Sequence, residues 1–146
     1  MSTRALYGFK RNGVEKISSC ESDGYPWSLG VQMLTFCRNS NPEEIGRLFD
    51  KIEMVPFGES IDGKELLDLP WDLVSMSQRS EEWYMNSYDY EDDLNYLYSY
   101  IINLDTERLE RWDMDLDTDF FPASPSEEVN LRDLAEIDNA ITKWNS

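Results

Sequence analysis

Apolar and polar residues alternate at the start of the chain. Ala5-Leu6-Tyr7-Gly8-Phe9-Lys10 and Val14-Glu15-Lys16-Ile17-Ser18 read as two strands, and Asn12-Gly13 between them tolerates the positive φ angles of a tight hairpin turn. The Asp23-Gly24 and Pro26 punctuation makes Cys20–Trp27 a loop. The period then lengthens. Ser28 as an N-cap predicts a helix through about Arg38, with Leu29, Met33, Leu34, Phe36 and Cys37 as its apolar surface. Asn41, Pro42 and Glu44 form a second helix start, which Ile45, Leu48, Phe49 and Ile52 continue at helical spacing.

From Glu53 to Gln78 the pattern weakens, with Pro56, Gly58 and Asp62-Gly63 marking loops around a short extended piece. Lys64–Leu69 fits a helical turn or a strand. Ser80–Tyr84 predicts a short helix, its acids near the positive N-terminal end. Tyr96–Leu104 is rich in aromatic and β-branched residues and reads as a central strand, turned by Asp105-Thr106-Glu107 into its partner Arg108–Trp112. Pro122 and Pro125 break the next extended stretch. Asn130–Trp144 predicts a final helix with Leu131, Leu134, Ile137, Ile141 and Trp144 on one face. The expected class is α+β, a small antiparallel sheet of hairpins with helices on one face. Its expected core includes Phe9, Ile17, Leu34, Phe49, Ile101, Leu134 and Ile141. Neither a linker nor a repeat interrupts the chain, so residues 1–146 are expected to be a single domain.

Charge changes the picture. Thirty acidic side chains against 13 basic ones give −17, and the acid is unevenly placed. Residues 1–75 hold 12 acids and 8 bases; residues 76–146 hold 18 and 5. Such a field repels nucleic acids and anionic membranes, so neither is an expected partner. Histidine is absent, which removes the commonest general base and metal ligand. Cys20 is loop-borne but has no histidine to activate it, and the sequence holds neither a phosphate-cradling glycine loop nor a Cys/His metal set. The expectation is a binding protein rather than an enzyme, without cofactor or metal. Two cysteines make no disulfide framework, and neither a basic-led leader nor a membrane-length apolar run is present, so a cytoplasmic location is expected.

The acid concentrates between residues 88 and 119. Tyr88, Asp89, Tyr90, Asp92 and Asp93 form one block; Asp113, Asp115, Asp117 and Asp119 alternate in another. In an extended segment, alternate side chains share a face at roughly 6.6 Å. That interval matches two rises of roughly 3.4 Å along a nucleic-acid strand. These nine residues are the expected partner-binding set, with the carboxylates in place of phosphates and Tyr88 and Tyr90 stacking on arginines. A merely solvated face is the plain alternative. A calcium loop is a poor fit. From Asp113, Thr118 stands where glycine is required and Ser124 where glutamate is; from Asp117, Glu128 fits but Phe121 replaces a ligand. A second candidate site is the Asp23–Trp27 loop with Arg4 and Lys16, as a nucleotide-binding protein or sponge.

Ser2-Thr3-Arg4, Tyr7-Gly8-Phe9, Gly13, Lys16 and Asp23-x-Tyr25-Pro26-x-x-Leu29-Gly30 resemble a group of small uncharacterised proteins of phages and prophages. Tyr100-Ile101-Ile102-Asn103-Leu104-Asp105-Thr106 with Leu109-Glu110 is similar to their paired strands near the end. The resemblance implies a phage-encoded protein acting inside a bacterial host, and carries over no catalytic residue. In size and charge the chain also resembles acidic anti-CRISPR and anti-restriction inhibitors that mimic DNA. The implied partner is a basic nucleic-acid-binding host protein, such as a Cas effector or other defence nuclease. A phage structural or assembly protein is a further alternative.

Overall fold

A computed structural model of the chain describes residues 3–67, 83–87, 96–114 and 122–146. Strands β1 (Arg4–Arg11) and β2 (Val14–Cys20) form the expected hairpin. Asn12 and Gly13 turn it at φ of 52° and 78°, the left-handed values that asparagine and glycine adopt most readily. Strands β6 (Tyr96–Asn103) and β7 (Arg108–Asp113) form the second hairpin, with Ile102 opposite Leu109. Strand β8 (Glu127–Asn130) pairs antiparallel with β7. The sheet order is β2-β1-β6-β7-β8.

The two hairpins meet through β1 and β6, which run parallel with Tyr7 beside Tyr100. The sheet is therefore mixed, where antiparallel pairing alone was expected. Local turn chemistry specifies each hairpin but not which edges meet. Between β2 and β6 the described residues include two α-helices and a second, three-stranded sheet. In that sheet β3 (Ile52–Val55) and β4 (Glu65–Leu66) both lie parallel to β5 (Trp83–Asn86). The expected helix at Ser80–Tyr84 is corrected here: Trp83 and Tyr84 belong to β5, and residues 80–82 lie outside the described residues. Trp83 and Met85 are both buried, a two-residue period too short to recognise in four residues of sequence.

Ser28 does not cap the first helix. The chain enters through a π-helical turn at Pro26–Gly30, in which the Tyr25 carbonyl accepts from the Ser28 and Gly30 N–H groups, and continues into α1 (Val31–Arg38). Gly30 lets this turn pack closely, since a Cβ would lie 3.0 Å from the Trp144 ring and 3.1 Å from that of Tyr100. Helix α2 (Pro42–Lys51) starts as expected, with Asn41 Oδ1 accepting the Glu44 N–H at 2.9 Å. Helix α3 (Leu134–Trp144) starts four residues later than expected, capped by the Asp133 side chain on the Glu136 N–H at 3.1 Å.

One face of the main sheet, carrying Ala5, Tyr7, Phe9, Tyr100, Ile102 and Leu109, packs the helices into one core. Phe9, Leu34 and Phe49 belong to it as expected, while Ile101 is buried on the opposite face. Ile17 and Ile141 are only half-buried. Leu134, the first residue of α3, is 48% exposed, whereas Ile137, Ala140 and Trp144 further along the helix are buried. The chain is α+β.

Candidate interaction surface

Of the nine expected partner-binding residues, Asp113 is described; Tyr88, Asp89, Tyr90, Asp92, Asp93, Asp115, Asp117 and Asp119 lie outside the described residues. Their flanking positions are defined. Tyr96 opens β6 three residues after Asp93, and Met114 follows β7 immediately before Asp115. The Met114 N–H donates to the Leu97 carbonyl at 2.9 Å. The two acidic blocks are thus joined to neighbouring points at one end of the main sheet.

Asp113 is engaged inside the molecule. Its two carboxylate oxygens accept from Arg111 Nε at 2.8 Å and Nη2 at 2.9 Å, and its backbone N–H donates to Ser126 Oγ at 3.0 Å. Residues 111 and 113 point to the same strand face, so this fork-to-carboxylate pairing was available from spacing alone. The Arg111 guanidinium lies 5.2 Å from the Trp144 ring centroid and 5.9 Å from that of Tyr98. Burial opposes its charge, but the Asp113 bonds outweigh that and raise its pKa. Burial, with Asp113 alongside, pushes the Tyr98 hydroxyl up. Glu127 accepts from Lys143 Nζ at 2.5 Å and from the Trp144 indole. Burial disfavours its charge, yet these bonds hold its carboxyl below the usual range. Sequence reasoning missed the roles of Arg111, Glu127 and Trp144 because they converge from β7, β8 and α3.

The 23–27 loop sits beside this cluster. The Gly24 N–H donates to the Thr3 carbonyl at 2.9 Å, and the Tyr100 hydroxyl donates to the Gly24 carbonyl at 2.8 Å. A Cβ on Gly24 would fall 2.5 Å from that of Ala5, so glycine lets the loop lie directly on β1. Tyr25 stacks on Trp27 with centroids 4.5 Å apart and planes 9° from parallel, and Tyr98 lies 6.5 Å from Tyr25. Trp27 is 53% exposed.

The two cations expected at this loop part company. Arg4 is close to it but engaged, bonded to Glu21, donating to the Tyr96 hydroxyl at 3.0 Å and lying 4.5 Å over the Tyr96 ring. Lys16 is elsewhere. Its Nζ donates to the Phe49 and Ile52 carbonyls at 2.5 and 2.6 Å, satisfying backbone acceptors at the C-terminal end of α2. Burial lowers its pKa. It lies opposite Phe9 in the hairpin, whereas Ala5, beneath the loop, lies opposite Cys20.

Basic side chains are largely consumed within the described residues. Arg11 pairs with Asp50, Arg38 with Asp138, Arg108 with Glu128 and Lys10 with Glu110, while Arg132 joins Glu43 to Glu107. A cavity of about 330 Å³ between α2 and the β6–β7 turn is lined by both signs, Arg11 and Arg47 with Glu43, Asp50 and Glu107. A smaller one of about 150 Å³ on the open sheet face holds the Lys10–Glu110 pair among Leu6, Ile17, Ile101 and Trp112. Among the described residues, no group of three or more His, Cys, Asp or Glu is placed to hold a metal. Among the same residues, no helix is long and apolar enough to cross a membrane. Comparison with protein-family models, with curated proteins and with solved structures finds no match to this chain, so its candidate surface rests on its own geometry.

Proposed function

We propose that the protein is a phage-encoded acidic inhibitor acting in the bacterial cytoplasm. It binds the basic nucleic-acid-binding surface of a host defence protein, a Cas effector or other defence nuclease, and excludes the substrate. The observation that carries this reading is the adjacency of Leu97 and Met114, which roots both acidic blocks at one end of the sheet. Internal pairing of the bases supports it further, because most of the described cations are already matched by described carboxylates and leave the acid in excess. Asp113 is withdrawn from the partner set, being held by Arg111. Asp89, Asp92, Asp93, Asp115, Asp117 and Asp119 present the charge, and Tyr88 and Tyr90 supply rings between the acids. Inhibition is competitive and needs no bond-making step, so no enzymatic activity is assigned. Association is fast and salt-sensitive, since opposite potentials steer the encounter and a Debye length of about 8 Å screens it at physiological salt.

The test is a triple variant, Asp115→Asn, Asp117→Asn and Asp119→Asn, titrated against basic defence nucleases captured from a bacterial host. Affinity should fall by about 1–3 kcal/mol, from roughly 0.2–1 kcal/mol per exposed pair. Unchanged affinity and salt dependence would reject mimicry by this row. The exposed Tyr25–Trp27 stack favours a second reading, a nucleotide bound at the 23–27 loop, although Lys16 is absent from that loop and Arg4 is held by Glu21. Micromolar stabilisation by one member of a nucleotide panel in a thermal-shift assay would establish that reading instead.

A further inference from the structure

Trp27 is a large ring left half in water although its position is well defined. Tyr25 backs one face at 4.5 Å, and Tyr25 itself leans on Tyr98, 6.5 Å away and anchored in β6. The loop below is pinned by the Gly24 bonds to Thr3 and Tyr100. A ring held this way loses little side-chain freedom on binding, which is the property of an interface anchor.

Elsewhere among the described residues, the chain's own cations lie over rings that are buried or partly buried. Arg4 lies over Tyr96, Arg11 over Phe49 at 4.6 Å, and Arg111 between Tyr98 and Trp144. Among the described residues no lysine or arginine lies over the Tyr25–Trp27 pair, and the Trp27 indole N–H has no acceptor. Glu21 and Asp23, both exposed, precede the ring in the same segment. Resting on the inhibitor reading above, we infer that Trp27, backed by Tyr25, is the docking platform for an arginine side chain of the basic partner. The 23–27 loop then belongs with the strand ends that lead into the acidic blocks, not to a separate ligand site.

Charge decides between occupants of the ring. A nucleotide offers a base to stack but brings phosphates into a field of −17, and no cation in this loop is unengaged to receive them. A guanidinium brings the opposite charge and a flat, weakly hydrated face that stacks on indole. An ammonium brings the charge without the flat face, so the platform discriminates arginine from lysine.

That discrimination is the test. Nona-arginine and nona-lysine peptides are titrated against the full chain and its Trp27→Ala and Trp27→Phe variants over a salt series. The ratio of arginine to lysine affinity should fall about two- to fivefold in Trp27→Ala, the share of one exposed cation–π contact. Trp27→Phe should retain most of the ratio, and the salt slope should be the same in all three proteins because no charge is removed. A ratio unmoved by Trp27→Ala, with both peptides still binding in a salt-dependent way, overturns the platform and leaves the acidic reading intact. A loss as large in Trp27→Phe as in Trp27→Ala also overturns it, since the flat ring is then not what is recognised. Failure of both peptides to bind the parent chain overturns the acidic reading and the platform together.

Discussion

The two ends of the main sheet use the same residue types in opposite ways. At the β6–β7 turn every named polar group closes on a neighbour. Asn103 Oδ1 accepts from the Asp105 and Thr106 N–H groups at 3.0 and 3.3 Å, and its Nδ2 donates to Glu110 at 2.9 Å. The Asp105 carboxylate accepts the Asn12 N–H of the other hairpin at 3.0 Å, so one turn holds the next. Arg132 draws α2 and this turn together through Glu43 and Glu107. At the opposite end Trp27 and Asp23 face water, and the chain continues from Met114 towards three further aspartates. A carboxylate surrounded by donors stabilises the fold; one in water contributes little to it. Asp113 is placed at the second end but behaves like a member of the first, because Arg111 reaches it.

The sharpest way to break this contrast is at Glu110. It is 5% exposed and accepts from Asn103, from the Trp112 indole at 3.2 Å and from Lys10 at 3.0 Å. Glu110→Ala strands three donors and should cost about 2–4 kcal/mol in urea unfolding, given the price of unpaired buried groups. A loss below about 0.5 kcal/mol, the ordinary range of a surface substitution, would show that this network does not hold the turn end. Asp113→Asn comes next. It leaves the largely buried Arg111 with half its charge-assisted pairing, and about 1–2 kcal/mol should be lost. If Asp113→Asn instead weakens partner binding while stability is unchanged, Asp113 belongs to the interaction surface after all.

Acid separates the two kinds of carboxylate more gently. The Arg132 hydrogen bonds hold Glu43 and Glu107 below the usual carboxylate range, and Lys143 and Trp144 do the same for Glu127 against its burial. Groups with depressed folded pKa values stabilise the fold above the unfolded value of about 4.3. That contribution is lost as pH falls through their folded values. Urea midpoints should therefore fall below about pH 4, and the difference between the parent and Arg132→Ala should shrink there. A difference that persists at full size in strong acid would mean that Arg132 acts by packing. The smallest expected change is in the triple variant Asp115→Asn, Asp117→Asn, Asp119→Asn, whose stability should stay within about 0.5 kcal/mol of the parent. A larger loss would show that those aspartates hold the fold.

Local chemistry made much of the fold legible. Asn12-Gly13, Asn41-Pro42 with Glu44, and Asp105-Thr106-Glu107 each place a turn or cap within a few residues, and each stands where it was read. The failures share a cause. Strands β5 and β8 are four residues long and owe their pairing to neighbours distant in sequence. Leu134 fits an apolar helical stripe on paper, but Asp133 caps the helix immediately before it and leaves it in solvent.

The candidate surface divides along the same line. The sequence by itself determined the sign and concentration of the charge, the lack of histidine chemistry and the two hairpins, because these depend on composition or on contacts a few residues long. Only the tertiary structure decided that β1 and β6 lie side by side, that Lys16 serves the end of α2 rather than the loop, and that Arg111 lies between Tyr98 and Trp144. Only it decided that Trp27 stands exposed near the strand ends that lead into the acidic blocks. The physical reason is range: hydrogen-bonding caps and turns act within one segment. The partner of a charge or the cover of a ring is whichever element the chain's return brings within a few ångströms.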